Sequence, residues 1–193
     1  MFGSGTGETP AERFRRRSAD LIDTARAVPA DRWDAPSPCD DWTVRDVARH
    51  VVDVQGQFAG FIGRELEGVP SVDDDPVGAL EASLGQTQAN LDDEAVAQTG
   101  YDGHFGPTTY ESSVDRFASA DLVVHRWDLG TGAGVEVALD DRDVAASLAD
   151  LDALEEPMRS MMRGPGAFGP EIEVGDDVDD QTRLLAFLGR RGR

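Results

Sequence analysis

The sequence has 193 residues, a formal net charge of −20 and a pI near 4.3, which suits one domain with a real core and argues against nucleic acid and anionic membrane surfaces as partners. All 18 basic residues are arginine, so lysine Schiff bases, pyridoxal-phosphate anchoring and a Walker lysine are excluded. The single Cys39 rules out an internal disulfide, no apolar run of roughly 18 residues exists, and the N-terminus lacks an apolar signal core, so a cytoplasmic protein is expected.

In chain order, residues 1–9 are small and polar and are expected to be disordered. A first helix is predicted over about 10–28, with Phe14, Leu21, Ile22 and Ala25 on one face and Arg13, Arg16 and Arg17 largely solvated. Pro29 ends it. Residues 29–42 hold three prolines and read as an ordered irregular connection anchored by Trp33 and Trp42. Thr43 followed by Asp46 forms a capping-box pattern that opens a second helix running to about Gly63. Its inner stripe is Val47, His50, Val51, Val54 and Phe58, at spacings of three and four.

Residues 68–77 read as a loop, and a third helix is predicted over 77–97 with Leu80, Leu84 and Leu91 inside. The glycine-rich stretch 99–109 reads as a second loop. A fourth helix is predicted over 110–131, with Val114, Phe117, Asp121, Val124, His125 and Leu129 on adjoining faces, broken by GTGAG. Beyond it, Val135, Val137 and Leu139 alternate like a short strand. Residues 140–162 carry the helical stripe Val144, Leu148, Leu151 and Leu154. GPGAFGPEIEVG reads as a turn with one extended strand, and Gln181–Gly189 as a terminal helix. The whole predicts a mainly α protein: an up-down four-helix bundle over 10–132 with a small α/β appendage over 133–193 packed on it.

The chain has three histidines, and His50 and His125 both fall on helix faces that could meet. Asp121 and His125 are four residues apart and project from one face. That spacing alone fits a surface ion pair or a satisfied core histidine as well as a ligand pair. Leu122, Val123 and Val124 around Asp121, and Val47, Val51 and Val54 around His50, make unpartnered polar groups costly. A divalent metal held by His50, Asp121 and His125 satisfies all three, and an open coordination position would make it a catalytic rather than a structural site. Zinc suits this donor set best; nickel, iron and manganese share it. Asp128 reads either as an acceptor behind His125 or, preferentially, as a surface charge near the helix end, and Asp53 is treated alike. His104 reads as a solvent-exposed loop residue and Cys39 as a small buried one.

The segments SPCDDWTVRDVARHVV and ADLVVHRWDLGTGAG, with the tail DDQTRLLAFLGR, resemble the mycothiol-dependent maleylpyruvate isomerase-like family of DinB/YfiT-like metal-binding proteins, over roughly residues 10–190. The resemblance implies a DinB-like four-helix bundle. It assigns His50, Asp121 and His125 to a metal triad. The acidic position carries Glu in the isomerase and the one-methylene-shorter Asp121 here. It further implies a mycothiol S-transferase or isomerase that activates the thiol as a metal-bound thiolate, with mycothiol as cosubstrate and a small electrophile as the other partner. The lysine-free composition fits an actinobacterial source, where mycothiol is the expected thiol. A metal-dependent hydrolase and a non-catalytic metal-binding or interaction module are the alternatives, and the protein is expected to be a monomer or homodimer.

Overall fold

Each main helix starts on a side chain that satisfies otherwise unpaired amides. In the computed structural model of the protein, which describes residues 7–155, 163, 168–175 and 177–190, helix α1 spans Pro10–Arg26. Thr9 accepts from the Glu12 amide at 3.2 Å, and Glu12 accepts from the Thr9 amide at 2.8 Å. Most of the 1–9 stretch thus lies outside the described residues. Helix α2 (Val44–Phe61) opens on the expected reciprocal box of Thr43 and Asp46. Helix α3 (Pro76–Asp92) starts at the Asp75 cap, and Asp93, in an extended conformation, separates it from the single turn α4 (Glu94–Ala97).

Residues 99–109 are not a plain loop. Strands β1 (Gly100–Gly103) and β2 (Gly106–Thr109) pair antiparallel, from Gly100 opposite Thr109 to Gly103 opposite Gly106. Backbone pairing holds this hairpin, not a buried apolar face, so no alternating pattern announces it.

The fourth long helix is composite. It begins as α5 (Tyr110–Ser113), passes through a π turn over Val114–Ala118 and continues as α6 (Ser119–Ala133). The wider turn shifts the phase of everything before it, and Phe117, expected inside, is 40% exposed. GTGAG does end the helix, but at its last residue, two positions past the predicted end. Gly130 and Gly132 lie within α6, and Gly134, with φ of 80°, ends it in the left-handed region. A side chain at Gly132 would meet Val44 at 2.7 Å and the Ser37 and Pro36 backbone at 3.0 and 3.1 Å, so Gly132 lets the α2 entry approach.

α1 packs on α3 and α6, and α2 packs on the same two helices, so α1 and α2 lie on a diagonal of the bundle. Arg13–Asp115, Arg17–Ser119 and Arg126–Thr24 run in step, making α1 and α6 parallel. Arg15–Asp92 and Arg26–Glu81 make α1 and α3 antiparallel. The up-down order holds from α1 to α2 and from α3 to α6. The pairs Arg49–Asp73 and Arg64–Asn90 show that α2 and α3 run the same way, and residues 62–75 supply the long return this requires.

Helices α7 (Asp141–Asp152) and α8 (Asp180–Phe187) pack together and cover the outer face of α6, where Val123, Val124 and Trp127 meet Val144, Leu148, Leu184 and Leu185. Burial of such side chains contributes about 1.5–3 kcal/mol each. α6 is therefore apolar on both faces, one toward the bundle core and one toward the appendage. Residues 135–139 form no strand, and the appendage shows only an isolated bridge between Arg163 and Phe168 among the described residues. The helix expected over 140–162 ends at Asp152, with residues 153–155 outside it, and the part of that expectation beyond Glu155 falls outside the described residues. Arg13 and Arg17 are buried, not solvated: Arg17 reaches Asp143 at 2.9 Å and Ser119 at 3.1 Å, and Arg16 reaches Asp143 at 2.7 Å. α7 and the π turn cover that face of α1, which no local pattern in α1 could reveal.

Candidate metal centre

The capping box that fixes the start of α2 puts His50 two turns in, on the side facing α6. On α6 the four-residue spacing puts Asp121 and His125 on one face. The structure brings all three together. His50 Nε2 lies 3.1 Å from Asp121 Oδ2, and His125 Nε2 lies 3.2 Å from Asp121 Oδ1. His125 is buried, while His50 and Asp121 are half-buried. Trp42, just before the α2 cap, covers the pair, with ring centroids 5.0 Å from His50 and 6.1 Å from His125.

Behind His125 stands a second layer of polar groups. Its Nδ1 lies 3.0 Å from Asp128 Oδ2, and Asp128 is fully buried. The reading of Asp128 as a surface charge is therefore corrected: α8 and the chain beyond it bury that face of α6. Arg190 donates to both Asp128 oxygens, at 3.2 and 2.9 Å, and its Nη2 lies 3.3 Å from Cys39 Sγ. Cys39 is half-buried, and its Sγ lies 3.1 Å from Asp128 Oδ2. Sequence reasoning missed Arg190 altogether and assigned Cys39 only a packing role. Asp53 and His104 are both exposed and take no part.

The electrostatics follow from these contacts. Burial would raise the Asp121 carboxyl, but the charge of His125 and hydrogen bonds from both histidines hold it well below the usual carboxylate range. Burial would lower His125, but Asp121 beside it, with hydrogen bonds to Asp121, Asp128 and Cys39, raises it well above its ordinary value. Asp128 is held low against burial by His125 and Arg190.

The donor set fits a divalent cation. The ligand atoms of His50, Asp121 and His125 lie within 4.8 Å of one another. The two Nε2 atoms approach different oxygens of the Asp121 carboxylate, at 3.1 and 3.2 Å, so the three donor groups converge. Asp128 accepts the Nδ1 proton, so that when a cation replaces the Nε2 proton the lone pair there faces it, the arrangement that orients a ligating histidine. Cys39, His125 and Asp128 also converge, but the Arg190 guanidinium already holds the place a cation would take there. The triad faces a cleft of about 1120 Å³ lined by α2, the π turn, α6, α7 and the C-terminal segment. Among the described residues no helix is long and apolar enough to cross a membrane.

Comparison with known proteins gives two findings. Residues 14–89, which include His50, match the family described as mycothiol maleylpyruvate isomerase N-terminal domain. Two proteins of Mycobacterium tuberculosis, from two strains and both named only as uncharacterized, are each 30% identical over 170 residues, covering 86% of this chain and 89% of the relative. No solved structure matches.

Proposed function

The chain belongs to the mycothiol maleylpyruvate isomerase N-terminal domain family, and on that premise we propose that it is a metal-dependent transferase joining a low-molecular-weight thiol, mycothiol, to a small electrophile. The observation that carries this reading is the convergence of His50, Asp121 and His125 on the cleft, with Asp128 fixing the His125 tautomer. These three residues would hold the cation, and zinc matches their donor set best. When bound, such a cation lowers the pKa of a coordinated thiol from about 8.5, so that the thiolate exists near neutral pH.

The chain's own residues do the rest. Asp128 holds His125 in one tautomer, Arg190 holds Asp128, and Trp42 shields both imidazoles from one side. In the reaction a C–S bond forms and the thiol proton passes to water. The electron pair of the broken bond leaves with the departing group or, in an addition, moves to the neighbouring carbon, which takes up a proton. Isomerisation is the case in which the added thiol departs again. Of two candidate bases for the alternative, metal-dependent hydrolysis, Asp53 is exposed and does not line the cleft, and Asp128 is held between His125 and Arg190.

The test is elemental analysis of protein made without a metal-binding tag, followed by thiol-conjugation assays. His50→Ala, Asp121→Ala and His125→Ala are each expected to lose the metal and the activity together. Metal retention without thiol binding removes the transferase reading. Absence of metal, with no thermal stabilisation by zinc or nickel, leaves a non-catalytic module.

A further inference from the structure

The walls of the cleft carry a statement about the second substrate. Val54 and Phe58 come from α2, Val124 from α6, Leu151 from α7, and Leu184 and Leu188 from the C-terminal segment. At the mouth, Phe105 on the hairpin turn stacks on Phe117 of the π turn, with centroids 5.9 Å apart. These two rings are 51% and 40% exposed, large apolar surface left open to the cleft. Such surface gains free energy when an apolar ligand covers it.

Three guanidiniums face the cleft among the described residues, Arg116, Arg163 and Arg190, and each is engaged. Arg190 is committed to Asp128 and Cys39. Arg163 donates to the Gly169 carbonyl at 2.6 Å and lies 3.6 Å from Glu171. Arg116 lies over both mouth rings, 5.6 Å from the Phe105 centroid and 5.1 Å from that of Phe117. Against them stand the carboxylates of Asp40, Asp41 and Asp150, on a chain of net charge −20, while Asp121 is matched by His50 and His125 and Glu171 by Arg163. A dicarboxylate entering this cleft could reach the cation proposed at the triad with one group, but its second carboxylate would lose its hydration against apolar walls and these acidic side chains.

We infer that the electrophile accepted by this cleft is a neutral, apolar molecule with an aromatic or alkyl body, not a dicarboxylate. The inference rests on the transferase reading only for the identity of the nucleophile; the preference itself is a property of the cleft walls. For a chloronitroarene the balance is simple. The thiol sulfur bonds to the ring carbon, chloride leaves with the C–Cl electron pair, and the thiol proton goes to water.

Binding and turnover separate the two readings. N-phenylnaphthylamine, a neutral apolar fluorophore, is titrated into the full chain and then displaced by chlorodinitrobenzene or by maleate. The expected result is saturable binding displaced by chlorodinitrobenzene and left intact by excess maleate. Phe117→Arg, at an exposed position that tolerates polarity, should weaken the fluorophore about tenfold without lowering the thermal midpoint. The inference is overturned if maleate displaces the fluorophore as well as the neutral arene does, if the fluorophore does not bind, or if Phe117→Arg leaves its affinity unchanged. Binding that behaves as expected while no S-aryl thiol forms sinks the transferase reading and leaves the cleft preference standing.

Discussion

The buried carboxylate of Asp128 is the residue on which the chemistry of His125 depends. It accepts from Nδ1 at 3.0 Å and is clamped by Arg190, so it fixes both the orientation and the tautomer of the imidazole. A carboxylate behind a ligating histidine also makes it a better donor, and loss of such a partner typically costs about 10–100-fold in metal affinity. Asp128→Asn keeps the shape and removes the charge. We expect its zinc affinity, measured by competition with a chromophoric chelator, to fall within that range while His50 and Asp121 stay in place. An unchanged affinity would mean that Asp128 serves only to bury Arg190. Asp41, in the turn that carries Trp42 over the site, has φ of 64°, a region Asp tolerates and β-branched residues do not.

At the scale of the element, α6 is the piece that joins site to scaffold. The π turn over Val114–Ala118 sets the phase of the helix just before Asp121. Gly130 then lets its far end lie against Thr24 near the end of α1 and against Val135 and Val137, and Gly132 lets it lie against the entry of α2. In an isolated helix, alanine would be favoured over glycine by about 1 kcal/mol. In this one, a methyl group at Gly132 meets Val44 at 2.7 Å and loop backbone at 3.0 and 3.1 Å. The clash is the larger effect, since overpacking costs about 1–3 kcal/mol and also displaces the loop bearing Cys39 and Trp42. Gly132→Ala should therefore lower the denaturant midpoint; a raised midpoint would show that the loop yields freely.

For the molecule as a whole, the contact between bundle and appendage is both apolar and ionic. Arg16 and Arg17 of α1 meet Asp143 of α7, with both Arg17 and Asp143 buried. Burial would raise the Asp143 carboxyl, but hydrogen bonds from the two arginines hold it below its ordinary value. A depressed folded pKa contributes stability that is present above the unfolded value of about 3.9 and is lost as pH falls through the folded value. Urea midpoints of the parent should thus fall as pH drops below about 4. Asp143→Asn should be less stable at pH 7, on the order of 3 kcal/mol for a buried pair broken on one side, and should lose less on acidification. Parallel pH profiles for the two proteins would exclude Asp143 as a contributor.

The sequence by itself determined what lies within one helical turn. The capping box of Thr43 and Asp46, the stripe through Val47, His50 and Val51, and the four-residue step from Asp121 to His125 are local patterns, because a helix repeats every 3.6 residues. They were enough to place four long helices and to put His50, Asp121 and His125 on helix faces that could meet, while the spacing alone fitted an ion pair as well as a ligand pair. Only the tertiary structure decided the rest. Arg190 meets Asp128 across 62 positions and Cys39 across 151, and Arg17 meets Asp143 across 126. No periodicity spans such distances; those partners are chosen by packing. Packing likewise turned Asp128 from a surface charge into a buried anchor, and the π turn and the hairpin set which aromatic rings stand at the cleft mouth.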